Sequence, residues 1–296
     1  MRWKVGRRSD NVQDLRGGGS RRGGGFPLGG GRLGLGGIAV VVVIGLLLGK
    51  NPMEMLGMLA QMQGGAGPSA NVQNEGAAPP ANDETAEFVR VILGETEDAW
   101  TPIFQASGLT YEAPKLNLFS GGVDTACGSA SSASGPFYCP GDRDVYIDMS
   151  FFQEMKARLG GGGDFAYAYV IAHEVGHHVQ TLLGVSDKVN AARQRGQDVQ
   201  GDGGLLVRQE LQADCYAGVW AHLAQAKHQW LEDGDVEEAM NTASAIGDDR
   251  LQQQSQGRVV PDAFSHGTSE QRVRWFRVGF EKGDAALCDT FAAARL

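Results

Sequence analysis

Over residues 165–183 the apolar side chains Phe165, Ala168, Tyr169, Ala172, Val175, Val179, Leu182 and Leu183 recur three and four positions apart. That period predicts a helix with one buried face. Gly161, Gly162 and Gly163 interrupt whatever precedes it, Asp164 stands where an N-cap is expected, and Gly184 supplies a C-terminal stop. A second long helix is predicted over 205–226, where breakers are scarce, and shorter ones over 235–246 and 269–279, the last with Val273, Phe276 and Phe280 on one side. Ahead of these helices, residues 144–148 alternate Val145 and Ile147 with Asp144, Tyr146 and Asp148, the pattern of a half-buried strand, and residues 115–119 are a second strand candidate. The pattern as a whole predicts an α+β fold, a small N-terminal sheet followed by a mainly helical body. Trp220, Trp230 and Trp275 are expected to pack within that body.

One stretch fits neither period. Residues 33–49 run seventeen positions without a charge, and Lys50 closes them. As a helix the run would span roughly 25 Å, a little short of the roughly 30 Å hydrocarbon core, with Arg32 and Lys50 snorkelling at its ends. Residues 1–32 carry eight basic residues (Arg2, Lys4, Arg7, Arg8, Arg16, Arg21, Arg22, Arg32) against Asp10 and Asp14. Positive charge stays cytoplasmic, so the pattern predicts a single-pass anchor over 33–50, a basic glycine-rich cytoplasmic tail over 1–32, and the rest of the chain outside the inner membrane. A cleaved signal peptide is the rival reading; the long basic lead and the lack of a small-x-small site after the run count against it. Residues 51–83, rich in Gly, Ala, Pro, Gln and Met, read as a linker. The globular domain is then expected over 84–296, long enough for one core.

Removing the +6 of residues 1–32 from the total of −9 leaves −15 on the remainder. Nucleic acid is a poor partner for such a surface. The Gly/Arg-rich segment 17–37 matches an RNA-binding tail only in composition, since its single aromatic is Phe26. All four cysteines, Cys127, Cys139, Cys215 and Cys288, follow the anchor, where an oxidising compartment favours disulfides. Cys127 and Cys139 flank a Gly/Ser-rich turn and are the easiest pair, which leaves Cys215 with Cys288. A zinc-cysteine site is the alternative, without a C-x-x-C spacing to support it.

The chemistry concentrates in His173-Glu174-Val175-Gly176-His177. On a helix two histidines four apart project from one face about 5–6 Å apart at Cβ, a gap that one zinc ion bridges. Glu174 then stands beside the ion as a general base. Gly176 costs the helix roughly 1 kcal/mol relative to alanine, and a small residue there lets another segment approach. His178 lies about 100° round from His177 and is assigned to packing or support, not ligation. In the second long helix Glu210 and Asp214 are again four apart. Glu210 would complete a His2Glu site with a fourth position open for water, and Asp214 would accept the free ring N–H of a ligand histidine. A solvated acidic face is the bland alternative for that pair. His266 is a candidate oxyanion donor, or else a loop histidine ahead of a helix capped at Thr268 or Ser269. Asp248, Asp249 and Arg250 read equally as a charge cluster or a solvated loop.

The pairing of H-E-x-x-H with a later E-x-x-x-D helix resembles the gluzincin metallopeptidases. More closely, the chain resembles the bacterial putative neutral zinc metallopeptidase family of YpfJ type. The resemblance rests on Met1-Arg2-Trp3, on residues 144–148, on 172–180, on Glu210-Leu211-Gln212-Ala213-Asp214-Cys215, on 245–252 and on His266-Gly267-Thr268-Ser269-Glu270-Gln271-Arg272. It implies a zincin-like fold and a membrane-anchored zinc peptidase acting on proteins or peptides. His266 to Arg272 is similar to a segment of integral-membrane gluzincins in which the histidine lies over the substrate carbonyl and the arginine supports the site; Gly267 stands where proline is usual there. An edge strand that holds the substrate extended is also implied, with 144–148 and 115–119 as candidates. Two further functions fit the same residues: a non-catalytic module stapled by zinc, and a zinc amidase acting on cell-wall peptide.

Overall fold

The first strand lies far outside the region where hydrophobic alternation predicts a sheet. In the computed structural model, which describes residues 1–16, 76–80, 82–158 and 162–296, β1 is Val12–Asp14 and pairs in parallel with β2, Leu116–Phe119, in the register Val12 to Leu116. β2 pairs in parallel with β6, Asp144–Asp148, and β6 pairs antiparallel with β5, Phe137–Cys139. The order β1-β2-β6-β5 makes one four-stranded sheet. A separate hairpin joins β3, Gly122–Thr125, to β4, Gly128–Ser131. Both expected strands therefore form, but they occupy the two inner positions. The open edge nearest the helical body belongs to β5, too short to announce itself by alternation.

Residues 1–16 thus belong to the globular body and do not form a separate tail, a correction to the expected domain boundary at residue 84. Trp3 is buried with its ring edge-on to Phe88 at 5.4 Å, and Val12 is buried in the sheet. Both contacts remove apolar surface from water. They are made against α1, Glu84–Ala106, a 23-residue helix that precedes the inner strands and that the period analysis did not anticipate. Asp83 caps it by accepting from Ala86 N.

The helical body then follows in order: α2 (Ser150–Arg158), α3 (Asp164–Leu182), α4 (Val185–Gln194), α5 (Leu205–His228), α6 (Asp235–Ala245), α7 (Asp248–Gln256) and α8 (Ser269–Lys282). α3, α5, α6 and α8 match the predicted helices to within a few residues. Gly163, not Asp164, occupies the N-cap of α3; Asp164 is its first residue and makes no capping hydrogen bond. Its acidic side chain still sits favourably in the first turn. Thr268 caps α8 in a reciprocal box with Gln271. Trp220 and Trp230 are fully buried, and Trp275 nearly so.

The two central helix crossings are set by small residues. A Cβ on Gly218 of α5 would lie 2.1 Å from Phe276 O, and one on Gly279 of α8 would lie 2.0 Å from Cys215 O. The two backbones touch, so neither position admits a side chain. Gly176 of α3 faces Ala213 of α5 less closely: a Cβ there would lie 3.0 Å from Ala213 Cα, a tight contact. Both expected disulfides form, Cys127–Cys139 and Cys215–Cys288, so no cysteine is left to bind metal. The second joins α5 to the C-terminal segment.

The predicted anchor at 33–50 lies outside the described residues. Among the described residues, no helix is long and apolar enough to cross a membrane.

The crossing makes a direct prediction. Gly218→Ala should lower the unfolding free energy by about 1–3 kcal/mol, the usual cost of overpacking, measured by chemical denaturation. A change within about 0.5 kcal/mol, the range of an ordinary surface substitution, would show that the helices can part without cost.

Candidate metal centre

α3 presents His173 and His177 one turn apart, with ring centroids 4.7 Å from each other. α5 crosses that face at the Gly176–Ala213 contact and brings Glu210 to both rings. His173 Nε2 lies 3.2 Å from Glu210 Oε2, and His177 Nε2 lies 3.5 Å from Glu210 Oε1. All three ligand atoms lie within 4.8 Å of one another. Atoms bound at about 2.0–2.2 Å to a tetrahedral zinc sit roughly 3.3–3.6 Å apart. The donor set fits the ion in type and number, and the two histidine–carboxylate distances fit it in spacing.

The electrostatics point the same way. His173 meets a carboxylate at each ring nitrogen, Glu210 at Nε2 and Asp214 at Nδ1, the latter at 2.8 Å. Burial opposes protonation of this imidazole, yet the two carboxylates outweigh it and raise its pKa to about 10. His177 is likewise raised against its burial, chiefly by Glu210. Glu210 is partly buried, but the two histidines and His266 hold its carboxyl well below the usual range. A partly buried anion that faces two imidazole nitrogens suits a cation; protons or a metal ion fill the same role.

Each imidazole is fixed from behind. Asp214 accepts from His173 Nδ1, from Tyr169 Oη at 2.5 Å, and from Arg272 Nε and Nη2, both at 2.9 Å. With Nδ1 held as the donor, Nε2 is the free ligand nitrogen. His177 Nδ1 donates to Gln180 Oε1 at 2.9 Å, which leaves its Nε2 toward Glu210. Gln180 in turn donates to Gln209 O at 2.6 Å and to Gln212 Oε1 at 3.1 Å. Gln212 donates to Cys288 O, so the Cys215–Cys288 disulfide closes the back of the site.

Glu174 is 9 % exposed, and among the described residues its carboxylate accepts no hydrogen bond. Burial raises its pKa. His178 lies away from the three ligands. It packs edge-on to Tyr111 and Tyr138 and donates from Nε2 to Glu112 O at 2.6 Å. Burial lowers its pKa to about 4, so it is a neutral packing histidine.

His266 reaches the site from the loop before α8, close enough for its charge to act on Glu210. Its Nδ1 lies 3.2 Å from Asp248 Oδ1. Asp248 Oδ2 also accepts the backbone N–H groups of Ser265 and His266, each at 2.6 Å, and of Gly267 at 3.2 Å. Gly267 has φ +89, a value closed to proline, so this loop follows a path that the proline-bearing segments cannot take. Arg272, expected as a support for the site, is buried and pairs with Asp214.

The structure therefore brings His173, Glu174, His177, Glu210, Asp214, His266 and Arg272 into one cluster. Sequence reasoning missed Tyr169, Gln180 and Asp248. Tyr169 lies four residues before His173 and Gln180 three after His177, so helical spacing from each ligand was the available signal. Asp248 carried no such signal, because its role depends on a loop that returns from sequence positions 265–267.

This chain belongs to the family described as putative neutral zinc metallopeptidase, whose model matches residues 1–291. The family implies a Zn2+ cofactor, and His173, His177 and Glu210 are a group that could hold it. The chain is 50 % identical over 294 residues to the uncharacterized protein YpfJ of Escherichia coli (strain K12), which covers 98 % of this chain and 99 % of that one. It is 48 % identical over 217 residues to the uncharacterized protein Rv2575 of Mycobacterium tuberculosis, 70 % of this chain and 71 % of that one. The same figures hold for the uncharacterized protein Mb2605 of Mycobacterium bovis. No solved structure matches the chain.

Replacing Glu210 by Gln should abolish stoichiometric zinc binding. Replacing Asp214 by Asn should weaken it about 10–100-fold, the usual effect of removing the group that orients a ligand histidine. Competition against a chromophoric chelator measures both; an affinity within twofold of wild type for Asp214→Asn would show that His173 needs no such support.

Proposed function

We propose that the protein is an active zinc-dependent peptidase of the cell envelope that hydrolyses peptide bonds in proteins or peptides. The observation that carries this reading is the pairing of a three-donor set with the largely buried carboxylic acid Glu174 on the same helix turn. A site that served only to staple the fold would need no such base beside it.

His173, His177 and Glu210 would hold a zinc ion, which would supply a Lewis acid able to bring a water toward a pKa of about 7. Glu174 is placed to take the proton of the attacking water and to hand it to the leaving amine. Its raised pKa suits both halves of that transfer. His266, steadied at Nδ1 by Asp248, offers Nε2 to the oxyanion that develops on the scissile carbonyl. Tyr169 and Arg272 act through Asp214, and Gln180 directly, to hold the ligand rings in place. The outer edge of β5, the strand nearest α3, is suited to pairing with an extended substrate backbone.

Two observations support the extracytoplasmic location. All four cysteines are paired, which suits an oxidising compartment. The uncharged run at 33–49 is apolar enough to hold the protein at a membrane.

Glu174→Gln should retain zinc and lose turnover by about 10²–10⁴, the range for a positioned acid–base group. Casein and muropeptide digestion, paired with metal analysis, provides the check. Cleavage of muropeptides alone would point to an amidase, and equal, negligible turnover by both proteins on every substrate would point to a binding module. His266→Ala should lower turnover with little loss of zinc; equal loss of both would make His266 structural.

A further inference from the structure

A single crossing at 33–50 would place residues 1–32 and residues 51–296 on opposite faces of the membrane. The fold does not permit that separation. Val12, Gln13 and Asp14 pair residue by residue with Leu116, Asn117 and Leu118. Paired strands lie about 4.8 Å apart, against a hydrocarbon core about 30 Å thick. The two ends of the intervening chain also meet, with Asp14 N donating to Ala77 O at 2.7 Å. Arg16 bridges Asp14 and Asp83, the cap of α1, at 2.7 Å each. The described residues on either side of 17–75 therefore lie side by side.

The charges that argue for a cytoplasmic N-terminus have another use. Five of the eight basic residues in 1–32 lie within residues 1–16. Lys4 pairs with Glu84 at 2.6 Å, Arg8 with Glu87 at 2.6 Å, and Arg7 with Glu97 at 2.5 Å and Asp98 at 2.9 Å. Arg2 donates to Gln229 O. Most of these groups are part exposed, so each pair is worth little alone. Together they tie residues 4–8 to α1, and so to the same face of any membrane as the domain that α1 belongs to.

We propose that residues 1–16 and 76–296 lie on the same side of the membrane, because they pair in one sheet and one charge-matched interface. The proposal rests on the membrane attachment advanced above.

Thiol labelling of the full-length protein in spheroplasts tests the idea, since the native cysteines are all disulfide-bonded. Val5 is 61 % exposed and Val259 41 % exposed, and the Asp10 side chain is 99 % exposed. Val5→Cys, Asp10→Cys and Val259→Cys should react to the same extent with a membrane-impermeant maleimide, and carbonate washing should leave the protein in the membrane. Two N-terminal positions guard against one variant failing to accumulate. Protection of residues 5 and 10 until permeabilisation, with residue 259 labelled at once, would overturn the proposal. Release by carbonate would overturn the membrane attachment, and the proposal with it. Neither result bears on hydrolysis, which is read separately by the Glu174→Gln comparison.

Discussion

The Asp214 carboxylate is the point on which the site depends. It is fully buried, and burying an ion without partners costs several kcal/mol. It is stable there because four donors converge on it, from His173 and Tyr169 of α3 and twice from Arg272 of α8. Three helices are thereby held to one atom pair. The same contact selects the tautomer of His173 and so decides which nitrogen faces the ion. Stability and ligand geometry are consequently one constraint: the arrangement that satisfies the buried charge is also the one that leaves Nε2 free.

That convergence needs backbones closer together than ordinary side chains allow. Gly176 lets α5 approach α3, and Gly218 and Gly279 let α8 lie against α5 with almost no gap. A glycine within H-E-x-x-H weakens its own helix, and the crossing explains why the cost is accepted. The Cys215–Cys288 disulfide and the Gln180–Gln212–Cys288 chain then brace the far side of the ligand rings. His266 is held by a different device, the single buried carboxylate of Asp248, which gathers three successive N–H groups and the imidazole. The loop owes its shape to one anion, so His266 is set independently of the metal ligands.

The N-terminal segment extends the same logic to the sheet. Trp3 and Val12 contribute to the core, while the basic residues between them are matched to the acids of α1. A composition that reads as a cationic tail becomes, once folded, one side of a charge-matched interface. The reading changed because charge alone does not say what it faces.

Local spacing made a large part of this protein legible. Helical periodicity located α3, α5, α6 and α8, and a four-residue spacing put His173 with His177, and Glu210 with Asp214, on common faces. Those relations depend only on backbone geometry within one helix. Turn composition and cysteine count likewise sufficed for the two disulfides. The tertiary structure alone decided which edge of the sheet is open, that Val12–Asp14 joins it across a hundred residues of sequence, and that Asp248 is a buried clamp where the sequence allowed a solvated loop. In each case the outcome depends on a partner distant in the chain, and neither pairing register nor the burial of a charge is encoded in the residues beside it.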